Sequence, residues 1–184
     1  MDDKEVRKYF RTEKHSQFSI DFFADAESYE VWDEIDFDNL AEVQGENTFT
    51  ITAEDAKFFA EAALDTHPLM TDEEYAKKSE FGKPLVNSAL TLAIVVGMSV
   101  ADVSRHAVAN LGWTDIALPA PVFNGDTLYA ESTVLEKRES KSRPTQGIVT
   151  VRTRGLNQDD KVVISYERTI LVPKRGHGVE DLQE

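Results

Sequence analysis

The sequence predicts an α+β domain in which an antiparallel sheet wraps around one long buried helix. Three observations carry this. The segment from Ala89 to Ala101 presents Leu90, Leu92, Ala93, Ile94, Val95, Val96 and Val100 on nearly every side of a helix, and a helix that is apolar all round is a buried one. The residues after Phe123 change to strand-like alternation in three long runs, near 126–137, 148–154 and 161–172. Short polar clusters, Asn124-Gly125-Asp126 and Asn157-Gln158-Asp159-Asp160, mark turns at the borders of these runs. A sheet so built has one apolar face, and the only large apolar partner available is the helix.

The other elements follow in order. Residues 1–46 read as an N-terminal extension packed on the main domain, with Phe22, Phe23, Tyr29, Val31 and Trp32 as apolar anchors among acids. The main domain, 47–174, opens with Thr48-Phe49-Thr50-Ile51, which alternates as a half-buried strand does. Thr52 is a natural N-cap, and Glu54 and Asp55 suit the positive end of the helix that follows. Ala56, Phe59, Ala60 and Ala63 recur at helical spacing, and Pro68 stops anything continuing through it. Thr71-Asp72-Glu73-Glu74 has the capping-box pattern and predicts a short helix over 72–78. Gly82 and Pro84 mark a turn, and Asn87 or Ser88 caps the long helix, predicted to run to about Asp102. In the strands, Leu128, Ala130 and Val134 share a face, as do Val149 and Val151, and then Val162, Ile164, Tyr166, Ile170 and Val172. A polar tail occupies 175–184. Long strands, short turns and one apolar helix are the requirements of a hot-dog fold.

Composition excludes several classes of function. Acidic residues outnumber basic ones 34 to 20, a formal charge of −14, which argues against nucleic acid or an anionic membrane as partner. The acidity reads either as a well-solvated surface or as one adapted to high salt, where counterions screen self-repulsion. There are no cysteines, so disulfides, thiolate metal sites and cysteine nucleophiles are excluded. The four histidines, at 15, 67, 106 and 177, lack zinc-motif spacing, and no metal is expected. The longest apolar stretch is broken by Thr91, Gly97 and Ser99 and falls short of the roughly 20 residues that span a bilayer. Met-Asp-Asp-Lys-Glu at the N-terminus carries no secretory pattern, so a cytoplasmic location is expected.

The chemistry concentrates in Asp65-Thr66-His67-Pro68-Leu69-Met70 and in Phe81-Gly82-Lys83-Pro84-Leu85-Val86-Asn87-Ser88. The first supplies a carboxylate and an imidazole; the second leads into a helix N-terminus, which can hold a polarised carbonyl. Asp65 reads as a helix terminator or as a general base. His67 either orients its loop or serves as an acid/base group. Met70 cannot exchange a proton and reads as apolar filler or as part of the substrate's surroundings. Asn87 and Ser88 are an N-cap or touch substrate. Arg138 and Arg143 are solvated or meet phosphates and carboxylates; His106 reads as structural.

From Asn47 to Lys174 the sequence resembles the MaoC-like dehydratases, which include the (R)-specific enoyl-CoA hydratases. Their motif Asp-x-Asn-Pro-(Leu/Ile)-His stands here as Asp65-Thr66-His67-Pro68-Leu69-Met70, and their Phe-Gly…His-Gly as Phe81-Gly82…Asn87-Ser88. Asn110-Leu111-Gly112-Trp113, Pro119-Ala120-Pro121-Val122-Phe123, Gly125–Ser132 and Arg138–Pro144 resemble the branch acting on mesaconyl-CoA, itaconyl-CoA and methylmalyl-CoA. The resemblance implies a homodimer or dimer of dimers, an acyl-CoA thioester as substrate and no cofactor beyond the coenzyme A that the substrate carries. In such enzymes an Asp and a His activate water, which implies catalytic roles for Asp65 and His67. It implies substrate contacts for Asn87, Ser88, Met70 and Arg143. Two departures stand out: Met70 where the family has histidine, and Asn87-Ser88 in place of His-Gly. The predicted function is a hydro-lyase acting on an enoyl-CoA. The rivals are a non-catalytic acyl-CoA-binding subunit, which Met70 favours, and a hot-dog thioesterase.

Overall fold

The computed structural model describes residues 43–174 and 176–179, so the predicted extension before Val43 and most of the tail lie outside the described residues. Strand β1 (Val43–Thr50) leads to helix α1 (Ala53–Ala62), two single-turn helices α2 (Pro68–Thr71) and α3 (Glu73–Ala76), and the long helix α4 (Ser88–Met98). A π-helical turn, Val100–Ser104, follows, and then β2 (Ala109–Ala117), β3 (Thr127–Glu139), β4 (Gln146–Leu156) and β5 (Val162–Pro173). The strands form one antiparallel sheet in the order β1-β3-β4-β5-β2. The architecture is the predicted hot-dog.

Local chemistry explains where the elements begin. The Thr52 hydroxyl accepts from the Asp55 N–H at 3.1 Å while the Asp55 carboxylate accepts from the Thr52 N–H at 2.9 Å, a reciprocal capping box. The two hydrogen bonds from Thr52 hold the Asp55 carboxyl below its usual range. β1 begins at Val43, four residues before the predicted start. The helix expected over 72–78 is α3, a single turn, capped by Asp72 and not Thr71 through the N–H groups of Glu74 and Tyr75; before it, Pro68 opens a further turn, α2, at its first position. Proline ends a helix when interior and starts one at N1, where its missing N–H costs nothing. α4 ends at Met98, short of Asp102, and its continuation relaxes into the π-turn.

The core lies between α4 and the concave face of the sheet. Leu90, Val95 and Met98 pack on Leu128 and Ala130 of β3 and on Ile164 and Tyr166 of β5, with Ile51 and Ala56 closing one end. A second cluster, Val149, Val151, Ile170 and Val172, is covered by Val103 from the π-turn. The helix comes close to β4 because position 155 is glycine: a Cβ there would stand 2.6 Å from Ile164 Cγ2 and 2.7 Å from Val95 Cγ2. The expected burial of α4 on nearly every side needs one correction. Ala89, Ala93 and Gly97 are exposed, so one stripe of the helix is open in the isolated chain. β2 had no clear strand signal; it is an edge strand whose Leu111, Trp113 and Ile116 are exposed. Among the described residues no helix is long and apolar enough to cross a membrane.

Candidate active site

The site grows from the end of α1. The helix closes with the Leu64 N–H donating to Glu61 O (3.2 Å) and the Asp65 N–H donating to Ala60 O (2.8 Å), the paired bonds of a Schellman motif. Its left-handed position is Leu64, at φ +57°, where glycine is the usual choice. The side chain is 85% exposed, so burial does not offset a left-handed cost of roughly 1–2 kcal/mol. Leu64→Gly is therefore expected to stabilise the fold by about 0.5–1 kcal/mol, after the entropy gained by the unfolded chain is subtracted. That corresponds to a Tm about 1–4 °C higher in a thermal melt.

The tight cap delivers Asp65 to a fixed place. Its Oδ2 accepts a short hydrogen bond from Asn87 Nδ2, and its Oδ1 lies 3.4 Å from the donating His67 N–H. Asn87 is buried and is the N-cap of α4: its Oδ1 accepts from the N–H groups of Ala89 (2.7 Å) and Leu90 (3.3 Å). Two backbone bonds hold this arrangement from either side. The Leu85 N–H donates to Leu69 O at 3.2 Å, and the Val86 N–H donates to Val122 O at 2.8 Å. Lys83 Nζ stands 4.0 Å from the centre of the Phe123 ring at the same place.

The structure thus brings together Asp65, His67, Met70, Asn87 and Ser88 on α2 and the entrance to α4. His67 is the N-cap of α2: its Nδ1 accepts from the Leu69 N–H at 3.1 Å, and its ring meets Tyr75 edge-on at 6.3 Å. A neutral imidazole whose Nδ1 accepts carries its proton on Nε2, so in this arrangement the ring offers a proton and not a lone pair. Met70 is half-buried on α2. Ser88 is exposed at the first position of α4, where an N–H has no intrahelical partner. With Ala89 and Leu90 capped by Asn87, the Ser88 N–H is left without a partner within the helix.

Arg143 is not brought to this site within the chain. It lies in the β3–β4 turn, exposed, donating to Gln146 Oε1 at 3.3 Å. Arg138 is on the last residues of β3; eleven residues of strand separate it from Thr127, roughly 36 Å of chain. Among the described residues neither is hydrogen-bonded to the Asp65 carboxylate, whose partners are Asn87 and the His67 N–H. Among the described residues no group of three or more His, Cys, Asp or Glu could hold a metal ion.

One charged group escaped the sequence reading. Arg168 lies on the core face of β5 between Tyr166 and Ile170 and is only 2% exposed. Its Nη2 donates to Ser99 Oγ at 3.2 Å, at the C-terminal end of α4 where helix carbonyls favour a cation. Burial pushes the guanidinium below its ordinary range and the Tyr166 phenol above its own. The twelve residues of helix from Asn87 to Ser99 span roughly 18 Å, so Arg168 braces the far end of α4 and does not meet a short acyl group held at Asp65.

Comparison with known proteins agrees with this fold. Residues 23–182 match the family model described as mesaconyl-CoA hydratase. The chain is 43% identical over 109 residues to a mesaconyl-CoA hydratase of Cereibacter sphaeroides, covering 59% of this chain and 32% of that protein. It is 35% identical over 126 residues to a beta-methylmalyl-CoA dehydratase of Chloroflexus aurantiacus, covering 68% and 36%. The crystal structure of a MaoC domain protein dehydratase from Chloroflexus aurantiacus superposes with a TM-score of 0.70 at 32% identity, over 74% of this chain and 38% of that one. The chain thus spans about a third of the length of the curated relatives it matches. The family match runs from the segment before the fold to the last residues of the tail, and the chain belongs to the mesaconyl-CoA hydratase family.

Proposed function

We propose that this chain is the hot-dog unit of a hydro-lyase that adds water to an enoyl-CoA, or removes it from the 3-hydroxyacyl-CoA. The proposed acyl group is a short branched dicarboxylic one, as the mesaconyl-CoA and beta-methylmalyl-CoA named for its relatives suggest. The single observation that carries the reading is the hydrogen bond from Asn87 to Asp65, which ties the motif carboxylate to the N-terminus of α4. A carboxylate able to take a proton from water then lies beside a helix end able to hold the thioester oxygen. In the forward direction Asp65 accepts a proton as the water oxygen bonds to Cβ. The C=C electrons move toward the thioester oxygen, where the Ser88 N–H and the helix dipole stabilise them. The enolate collapses as Cα takes up the proton that Asp65 accepted from water, while the His67 Nε2–H acts as a hydrogen-bond donor to the reacting oxygen. These steps move protons and shift charge without any change of redox state, so coenzyme A, as part of the substrate, is the only carrier group the mechanism needs.

The proposed assembly is a homodimer. β2 leaves an unpaired strand edge bearing the exposed side chains of Leu111, Trp113 and Ile116, a surface of the kind that isologous pairing covers. Met70 favours a second reading, in which the chain binds acyl-CoA and a partner hot-dog unit supplies the acid/base histidine. One assay separates the readings. Enoyl absorbance and free thiol are followed together on mesaconyl-CoA and crotonyl-CoA, with protein whose oligomeric state has been measured by light scattering. Loss of enoyl absorbance without thiol is the expected result. Thiol release would identify a thioesterase. Acyl-CoA binding with neither signal would replace the hydratase reading with the second one.

A further inference from the structure

The sequence left Asn87 as either a helix cap or a substrate contact, and the geometry points to a third role: we infer that Asn87 is a positioning residue that fixes the Asp65 carboxylate and leaves Oδ1 as its working oxygen. This rests on the hydratase reading, with Asp65 as the group that handles the water proton.

The orientation of the Asn87 amide is chemically determined. Its oxygen faces two helix N–H groups, from Ala89 and Leu90, and its nitrogen faces Asp65 Oδ2. Turning the amide over would set NH₂ against two N–H donors and the oxygen against a carboxylate, losing three hydrogen bonds at once. Asn87 is therefore locked from both ends. It is also buried, 8% exposed, so a substrate has little of its side chain to meet. The consequence for Asp65 is asymmetric. Oδ2 is held by the bond to the amide, whereas among the described residues Oδ1 has only the long, 3.4 Å approach of the His67 N–H. Oδ1 is thus the oxygen with lone-pair capacity for water. Aspartate or serine would cap the helix as well as asparagine does, but neither can cap it and donate to Asp65 at this distance.

Asn87→Ser tests this, because serine keeps the cap but draws its one donor, the hydroxyl, about one bond length back from Asp65. The cap itself is kept, so the fall in Tm is expected to match the loss of one hydrogen bond to a carboxylate, about 3–12 °C. kcat for mesaconyl-CoA should fall about 10- to 100-fold, the loss expected when a reacting group is misaligned, while KM stays within about threefold. A raised KM with kcat intact would make Asn87 a substrate contact and overturn the inference, and so would kinetics unchanged in both constants. A second measurement reads the contact without turnover. In the nitrogen-15 spectrum of the full chain, one Asn87 side-chain proton should resonate downfield and exchange slowly, and Asp65→Ala should abolish both. If the signature is present in a wild type that hydrates neither thioester, the hydratase reading fails while the Asn87–Asp65 clamp stands. If the signature does not depend on Asp65, the inference fails whatever the kinetics show.

Discussion

Asp65→Asn is expected to leave the fold and acyl-CoA binding intact and to cut enoyl-CoA hydration by about 10²–10⁴-fold, or roughly 3–5 kcal/mol of barrier. The isosteric amide can still accept from Asn87 through its remaining oxygen, so the tie to α4 survives. What is lost is the ability to take a proton from water. Single-turnover rates with mesaconyl-CoA, beside binding of a saturated acyl-CoA, check both halves. Equal turnover in wild type and variant would remove Asp65 from the mechanism. Two companions locate the imidazole's share. His67→Ala deletes the cap on the Leu69 N–H and is expected to cost about 1 kcal/mol of stability with a much smaller loss of rate. Met70→His returns the residue found in the resembled motif and is expected to raise the rate; a rate unchanged by it would mean that position 70 has no part in proton transfer.

The second large effect concerns the fold. Gly155→Ala is expected to destabilise the protein by about 1–3 kcal/mol, the usual range for overpacking a filled core, and to lower Tm by about 2–12 °C. The added methyl would meet Ile164 Cγ2 at 2.6 Å and Val95 Cγ2 at 2.7 Å. Both neighbours are fully buried and β-branched, so neither can turn aside cheaply. Relief would require α4 to lift from the sheet, and the N-terminus of α4 is where Asn87 holds Asp65. Urea melts of the variant measure the first effect, and a Tm equal to wild type would show that the helix has room to move.

The central helix was legible because its signal is local: an unbroken apolar run with a capping residue in front of it. The three long strands were legible for the same reason, since Leu128, Val149, Val151, Ile164 and Ile170 fall on the every-second-residue face of their strands and all of them turn inward. β2 was not, because none of its residues is buried in this chain and so no buried face imposes alternation on its sequence. Pro68 was read as a stop, whereas with His67 as its cap it starts a helix. Arg168 sits at an inward position of β5, but alternation names only apolar residues, and nothing local reveals that Ser99, sixty-nine residues earlier in the chain, accepts its hydrogen bond.

The candidate site divides in the same way. The sequence by itself determined which groups exist: one carboxylate at 65, an imidazole at 67, a thioether where a proton carrier would be expected, and a cap before the apolar helix. Chemical identity is a property of each residue, and a cap is a property of four neighbours. Only the tertiary structure decided how they are used. Asp65 and Asn87 are twenty-two residues apart and become one unit through a direct hydrogen bond. His67 spends its lone pair on its own helix, and Arg143 is carried to the distant end of the hairpin. Hydrogen bonds between distant segments depend on how α1, α2 and α4 dock, and docking follows from the shape of the whole core, which no short stretch of sequence encodes.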